Sequence, residues 1–202
     1  MTPIHLDDHL IAADKPAGEL AVPGRKEPRC LTTRVQALWP DAQVVHRLDQ
    51  ATSGLMLFAR GAAVQRTLSI AFAQRQVDKQ YIAWVHGLPA QDHGCIELPL
   101  AADWPNRPRQ QVDMLGGKPA LTHWRVLGRD VAGDRTRLGL QPLTGRTHQL
   151  RVHLAAIGHA IVGDALYGPA DGAARLMLHA TRLALAHPVS GAALVLDSPA
   201  PF

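Results

Sequence analysis

The sequence has few cysteines and no long apolar run, and each shortage excludes a class of protein. Only two cysteines occur among 202 residues, and Cys30 and Cys95 lack the Cys-x-x-Cys spacing of a zinc or redox centre. This usage favours a reduced, cytoplasmic protein. No eighteen apolar residues follow one another, and the amino terminus has no basic start before an apolar stretch. We therefore expect neither a membrane span nor a secretory signal.

Acidic residues are also in deficit, which bears on the partner. Lys and Arg number 21 against 17 Asp and Glu, so the formal net charge is +4. That balance suits a polyanionic partner such as nucleic acid without requiring one. The hydrophobic content of 47% and charged content of 19% are ordinary for a compact chain of this length, which predicts a single domain over residues 1–202.

The spacing of apolar residues predicts an α+β fold. Short apolar or alternating runs predict strands over 9–15, 54–59, 79–86, 122–127, 135–140, 181–186 and 192–196. Helical spacing predicts helices over 31–39, over 61–76, and from Thr144 onward, the last with Leu150, Leu154 and Ile157 as its buried face. Residues 103–118 predict a long surface loop with a weak central extended piece. Because hairpin-length turns join many strands, we expect a mixed, largely antiparallel sheet flanked by helices and loops.

Residues 46–54 form a polar, turn-like segment between apolar stretches, which is how a functional loop on a rigid scaffold is built. From these residues alone Asp49 has three possible roles: a nucleophile, a general base, or a turn residue that accepts backbone N–H bonds. The spacing does not decide between them.

Two nearby patterns resemble nucleotide-binding motifs but lack their key residues. The kinase catalytic loop places Asp directly after Arg, whereas Leu48 separates Arg47 from Asp49. Pro119 follows Lys118 where a phosphate-binding loop needs Ser or Thr. We therefore expect no nucleotide hydrolysis.

Eleven histidines invite a metal interpretation that their spacing does not favour. His148 and His153 are five positions apart, and no Glu or Cys completes a zinc set around them. We expect structural or phosphate-facing roles for them, and no metal.

Three motifs occur in order: His46-Arg47-Leu48-Asp49 followed by Thr52-Ser53-Gly54-Leu55, then Lys79-Gln80-Tyr81, then residues 145–153. They resemble those of RluA-type pseudouridine synthases, and the likeness of the first motif implies that Asp49 is catalytic. Lys79-Gln80-Tyr81 is similar to the second motif and gives Tyr81 the place of the active-site tyrosine. In residues 145–153, Arg151 takes the place of the Arg that pairs with the catalytic carboxylate.

The resemblance implies a mechanism that needs no cofactor and no metal. The Asp assists cleavage of the bond between ribose and N1 of uridine, the base turns, and C5 is joined to the ribose. The target base must first be extruded from its stack, at a cost of roughly a few kcal/mol, and held by stacking, for which Tyr81 is suited. Tyr81 is also a candidate base for the C5 proton, and Arg47 would fill the vacated space in the RNA.

Residues 103–108 and 117–120 are similar to the RluA subgroup itself, which implies two substrates: a hairpin of 23S ribosomal RNA and the anticodon stem-loop of certain transfer RNAs. We expect no S4-type domain, no obligate protein partner and a monomer. The residues predicted to contact RNA are His46, Arg47, Trp104, Arg107, Lys118, Arg146 and His148. The alternatives are the same chemistry on a different ribosomal or transfer RNA uridine, and a non-catalytic RNA-binding module.

Overall fold

The computed structural model describes residues 2–25 and 27–202. The helices in these residues are α1 (Leu31–Leu38), α2 (Ala62–Ala73) and α3 (Gln149–Ala156). None of these described helices has the length and apolar character needed to cross a lipid bilayer. The strands are β1 (His5–Leu6), β2 (Leu10–Lys15), β3 (Ala42–Val44), β4 (Ser53–Arg60), β5 (Asp78–His86), β6 (His93–Glu97), β7 (Leu100–Ala102), β8 (Gln110–Val112), β9 (Leu121–Asp130), β10 (Arg135–Pro142), β11 (Leu178–Ala186) and β12 (Ala193–Asp197).

The chain divides into two compact units. Unit 1 contains the described residues of Met1–Lys79 and His179–Pro201, and unit 2 contains Gln80–Leu178 with Phe202. The single domain expected over residues 1–202 stays a prediction.

The centre of unit 1 is the antiparallel pair β2 and β4, which has apolar contacts on both faces. Leu55 and Leu57 pack with residues of α2, while Met56 and Phe58, which alternate with them, pack with residues of α1. Each large apolar side chain buried in this way stabilises the fold by about 1.5 to 3 kcal/mol. This two-sided burial explains why the predicted strand over 54–59 is continuously apolar.

The first residues of β4 pair in parallel with β11, whereas β1, β2, β3 and β12 make antiparallel pairs. Gly54 lies opposite Ala180 in the parallel pair and has a φ of 113°. A Cβ at this position would lie 2.3 Å from the Ala180 carbonyl oxygen, so only glycine allows the strands to approach. The mixed sheet confirms the predicted α+β class.

Unit 2 is built on an antiparallel sheet in the order β5, β10, β9, β6, with β7 and β8 as a separate antiparallel pair. The six residues Gln149–Leu154 of α3 are all buried. Val152 packs with Leu100 and Ala120, so α3 lies against the region of β7 and the segment before β9.

Two local predictions were wrong. The last helix begins at Gln149 rather than near Thr144, because residues 144–148 form a turn. The side-chain oxygen of Gln149 holds this turn by accepting hydrogen bonds from the Thr144 hydroxyl at 2.7 Å and the Arg146 N–H at 3.0 Å. Ile157 is 36% exposed at the end of the helix and is not part of its buried face. The short strands β1, β3, β6 and β7 were not predicted, since pairing with distant residues rather than local pattern defines them.

Candidate active site

The predicted catalytic segment of unit 1 connects β3 to β4. The Thr52 N–H donates to the Asp49 carbonyl oxygen at 3.1 Å and closes a turn, so this turn uses the backbone of Asp49. Asp49 itself is half-buried and Arg47 is exposed. The segment thus presents a carboxylate and a guanidinium two residues apart.

Lys15 fixes the backbone next to Asp49. Its side chain is 1% exposed, and its ammonium donates to the carbonyl oxygens of Pro16 at 2.8 Å, Glu19 at 2.7 Å and Gln50 at 3.0 Å. The Gly18 N–H also donates to the Gln50 oxygen, at 2.8 Å. A buried charge is tolerated where polar partners compensate it, and these carbonyls do so. Sequence reasoning gave Lys15 no role, although its Lys-Pro-x-Gly pattern was visible.

His46 is held as a neutral ring. Its Nε2 accepts a hydrogen bond from the Leu57 N–H at 2.9 Å, and the ring stacks on Phe72 with centroids 4.6 Å apart. Burial, aided by the nearby charge of Lys79, lowers the pKa of His46 to about 3. A neutral imidazole offers no charge to a phosphate, so these contacts indicate that His46 anchors the segment to β4 and α2. Its predicted contact with RNA stays a prediction.

Unit 2 places Arg151 in a buried ion pair with Asp164. The Arg151 Nε lies 2.7 Å from one carboxylate oxygen and an Nη lies 2.6 Å from the other. The two side chains are 5% and 0% exposed. The backbone N–H groups of Leu166 and Tyr167 also donate to Asp164, at 3.0 and 3.1 Å. The guanidinium therefore has a fixed orientation.

Tyr167 joins this ion pair to the turn before α3. Its ring lies 5.1 Å from the Arg151 guanidinium carbon. Its hydroxyl accepts from the Gln110 N–H at 2.7 Å and shares a hydrogen bond with His148 Nδ1 at 2.7 Å. Burial raises the pKa of Tyr167, against the Gln110 hydrogen bond and the charge of Arg151, so the hydroxyl keeps its proton.

His148 has a left-handed backbone, with φ of 52°, immediately before α3. Arg146 and His148 therefore lie in the turn before the helix, and their predicted RNA contacts stay predictions. Asp164 and Tyr167 were missed as site residues. The run Gly163-Asp164-Ala165-Leu166-Tyr167-Gly168 was the available signal, but spacing alone does not show what its side chains contact.

The predicted catalytic residues belong to different units. Asp49 lies in unit 1, whereas Tyr81, half-buried on β5 opposite Leu140 of β10, and Arg151 lie in unit 2. Within unit 2 the structure brings Arg151 and His148 together around Tyr167. The joint arrangement of Asp49, Tyr81 and Arg151 stays a prediction.

The loop predicted to touch substrate presents an exposed aromatic and cationic pair. Trp104 is 67% exposed, and the Arg107 guanidinium carbon lies 3.4 Å from its ring centroid. The Asp103 N–H donates to the Arg109 carbonyl oxygen at 3.0 Å and closes the loop that contains this pair. Lys118 is exposed beyond it.

Cationic and histidine side chains elsewhere in the site have protein partners. The Arg146 Nε donates to the Pro119 carbonyl oxygen at 3.1 Å. His153 is fully buried between Thr122 and the Leu98 carbonyl oxygen, which indicates a structural role. Across residues 2–25 and 27–202 no three His, Cys, Asp or Glu side chains are grouped so that they could hold a metal ion.

Comparisons with known proteins agree over almost the whole chain. A dual-specificity RNA pseudouridine synthase RluA of Escherichia coli (strain K12) is 45% identical over 98% of this chain and 93% of its own length. The protein of the same name from Yersinia pestis is 45% identical over 100% of both chains. The solved structure of human RNA pseudouridylate synthase domain containing 1 has a TM-score of 0.85 and 29% identity, covering 100% of this chain and 84% of that chain.

The family model described as RNA pseudouridylate synthase matches residues 9–156. This segment contains Asp49, Tyr81 and Arg151 together with the Lys15 anchor. The motifs identified in the sequence and the relatives' full-length similarity lead to the same conclusion: the chain belongs to the RNA pseudouridylate synthase family.

Proposed function

We propose that this enzyme isomerises specific uridines of folded RNA to pseudouridine, with Asp49 as the catalytic carboxylate, Tyr81 as the ring that holds the base and Arg151 as the cation that balances Asp49. The observation that supports this most directly is the family match over residues 9–156, since that segment contains all three residues. RNA is accordingly the substrate class.

The backbone around Asp49 has the rigidity that such a role requires. Gln50 is tied to the buried Lys15 ammonium and to the Gly18 N–H, and the Asp49 carbonyl closes a turn with Thr52. A catalytic group held by a fixed backbone loses little orientational freedom when substrate binds, which lowers the barrier to reaction.

Arg151 is suited to balancing a carboxylate because Asp164 fixes its orientation. The two bonds to Asp164 use Nε and one Nη of a planar group that has five N–H donors. Loss of the Asp164 pair would release the guanidinium from that orientation. We therefore assign Asp164 and Tyr167 to positioning Arg151.

The proposed reaction breaks the C1′–N1 bond of uridine, turns the detached base and forms the C1′–C5 bond, after which C5 loses a proton and N1 gains one. Asp49 assists the cleavage, and Tyr81 stacks on the base and is the candidate to accept the C5 proton. No redox change occurs, so the residues of the chain suffice without a cofactor.

RNA binding would come from exposed cationic and aromatic groups. Trp104 with Arg107 over its ring is a stacking platform of the kind that binds unpaired bases. We assign Arg47, an exposed residue two positions before Asp49, to the space that the extruded base leaves. The further residues assigned to phosphate or backbone contact are His46, Lys118, Arg146 and His148, among which His46 contributes mainly by anchoring the segment.

For substrates, we propose the two that the RluA subgroup implies: a 23S ribosomal RNA hairpin and the anticodon stem-loop of certain transfer RNAs. Support comes from relatives named dual-specificity enzymes at 45% identity over nearly the full length. We further propose that the enzyme acts as a monomer in the cytoplasm.

The test of the catalytic role is Asp49→Ala beside Asp8→Ala, which removes an exposed carboxylate from the same unit. Pseudouridine formation on stem-loop RNA should be abolished only by Asp49→Ala. RNA affinity should be kept by both, because phosphate contacts and shape dominate binding. Unchanged activity of Asp49→Ala would favour another catalytic group, and absence of activity in the wild-type enzyme would favour an RNA-binding module.

The substrate proposal is tested by chemical mapping of pseudouridine across all cellular RNA, with and without the gene. Loss at both the ribosomal hairpin and the anticodon loop supports dual specificity. Loss at a different uridine, with both of these unchanged, would keep the chemistry and overturn the proposed substrates.

A further inference from the structure

A series of hydrogen-bonded side chains in unit 1 begins in residues 46–54, the Asp49 segment. The Ser53 hydroxyl lies 2.8 Å from His179 Nδ1, and His179 Nε2 lies 3.0 Å from the Ser198 hydroxyl. The Ser198 hydroxyl in turn lies 2.9 Å from a carboxylate oxygen of Asp14. Ser53, His179 and Ser198 are 2–3% exposed, whereas Asp14 is at the surface.

The partners set the direction of each hydrogen bond. The carboxylate of Asp14 only accepts, so Ser198 donates to it. His179 Nε2 also lies 3.2 Å from the Ser198 carbonyl oxygen, another pure acceptor, so Nε2 bears the hydrogen. When the ring is neutral, Nδ1 accepts from the Ser53 hydroxyl, and all donors then point from Ser53 towards Asp14.

One end of this hydrogen-bonded series, Ser53, belongs to the Asp49 segment. Ser53 is the first residue of β4 and follows directly after Thr52, whose N–H closes the turn on Asp49. Ser53 and Gly54 pair with His179 and Ala180 of β11. The Asp49 segment is therefore held at Gln50 by Lys15 and at Ser53 by His179.

We propose that His179 is a positioning residue for catalysis: as the acceptor of the Ser53 hydroxyl, it fixes the carboxyl end of the Asp49 turn and so the direction of the Asp49 side chain. The inference rests on the proposed function of Asp49. Because a misplacement of about 1 Å costs a catalytic group up to about 100-fold in rate, loss of this bond should lower kcat by about 10- to 100-fold and leave RNA affinity unchanged.

Two substitutions separate the two ends of the His179 ring. In His179→Asn the amide oxygen replaces Nδ1 and accepts from Ser53, but the side chain is too short for Ser198. In His179→Gln the amide nitrogen replaces Nε2 and donates to Ser198, while the Ser53 acceptor is lost. We expect His179→Asn to keep a kcat within about 3-fold of wild type, and His179→Gln to show the whole decrease of about 10- to 100-fold. The KM should be unchanged in both variants. Equal kcat values for the two variants would overturn the proposal.

Ser53→Ala keeps the test valid if a His179 variant folds poorly. It should lower kcat as much as His179→Gln, and the double variant should lose no more than either single one, since both remove the same bond. The control Ser190→Ala removes an exposed hydroxyl of the β11–β12 turn and should not change kcat. Independent, multiplicative losses, or a wild-type kcat for Ser53→Ala, would overturn the proposal.

Measuring the wild-type enzyme and Asp49→Ala on the same RNA distinguishes failure of the His179 positioning role from failure of the proposed function. A wild-type enzyme that forms pseudouridine only with Asp49 present, and is insensitive to Ser53→Ala and His179→Gln, excludes the positioning role alone. Wild-type activity that survives Asp49→Ala excludes the proposed function, and this inference with it.

Discussion

Unit 1 holds the Asp49 segment with a neutral imidazole, backbone carbonyls and one ammonium, whereas unit 2 holds Arg151 with a carboxylate that is equally buried. His46 contributes an uncharged ring in unit 1, and the Lys15 ammonium donates to the carbonyl oxygens of Pro16, Glu19 and Gln50. In unit 2 the Arg151 and Asp164 charges compensate one another. The first arrangement fixes a backbone, and the second fixes the direction of one charged group.

The largest loss of stability is expected when the Asp164 carboxylate of unit 2 is removed. Asp164→Ala breaks the buried ion pair with the Arg151 guanidinium, and breaking a buried pair by removing one partner typically costs about 3 to 5 kcal/mol. Urea unfolding at neutral pH measures this loss. The control Asp92→Ala breaks the ion pair of Asp92 with Arg129, in which the Asp92 side chain is 78% exposed. Its loss of unfolding free energy should stay below about 1 kcal/mol, because exposed pairs contribute little. Similar losses in the two variants would show that burial does not set the strength of these pairs.

In unit 1 the sharpest break is steric. Gly54→Ala places a methyl group against the Ala180 backbone, whereas Gly191→Ala, at a φ of 72°, meets no atom within 4 Å. Both variants place an alanine at a positive φ, of 113° and 72°, and only Gly54→Ala adds the close approach to Ala180. We expect Gly54→Ala to be less stable by about 1 to 3 kcal/mol, the usual cost of overpacking. Equal stabilities would contradict the strand spacing.

How much the sequence predicted follows the same division. The strand over 54–59 and the Asp49 segment were predictable because continuous burial and a polar turn both leave local patterns. The anchors were not, because they join residues far apart in sequence: Lys15 contacts Gln50, and His179 contacts Ser53. The contact of Arg151 with Asp164 was missed for the same reason, since a motif gives a residue's place without showing every side chain that it contacts.

A smaller effect is expected from the hydroxyl that joins the Arg151 cluster to β8. Tyr167→Phe keeps the ring beside Arg151 but removes the acceptor of the Gln110 N–H and the partner of His148. One such bond contributes about 1 kcal/mol, so thermal unfolding should shift only modestly. Stability changes little because the Arg151–Asp164 ion pair remains. The kcat should fall by more than this small change suggests, because the turn before α3 loses its contact between His148 and Tyr167. A kcat equal to wild type would limit Tyr167 to packing.

The last comparison distinguishes neutral from charged support through pH. The pKa of His46 is lowered from 6.5 to about 3 in the folded protein, so folding favours the neutral ring. Unfolding at acid pH lets the ring take up a proton, and the stability due to His46, complete above pH 6.5, is lost as the pH falls towards 3. In His46→Gln the amide oxygen replaces Nε2 as acceptor of the Leu57 N–H but does not titrate.

The free energy of unfolding of His46→Gln should therefore fall less steeply between pH 6 and pH 4 than that of wild type, by at most about 1.4 kcal/mol per pH unit, the contribution of one proton. Urea unfolding across that range measures the slope. His123→Gln replaces an exposed ring and should keep the wild-type slope. An unchanged slope in His46→Gln would mean that the ring accepts a proton within the fold, and that the Asp49 segment depends on charge as much as the Arg151 cluster does.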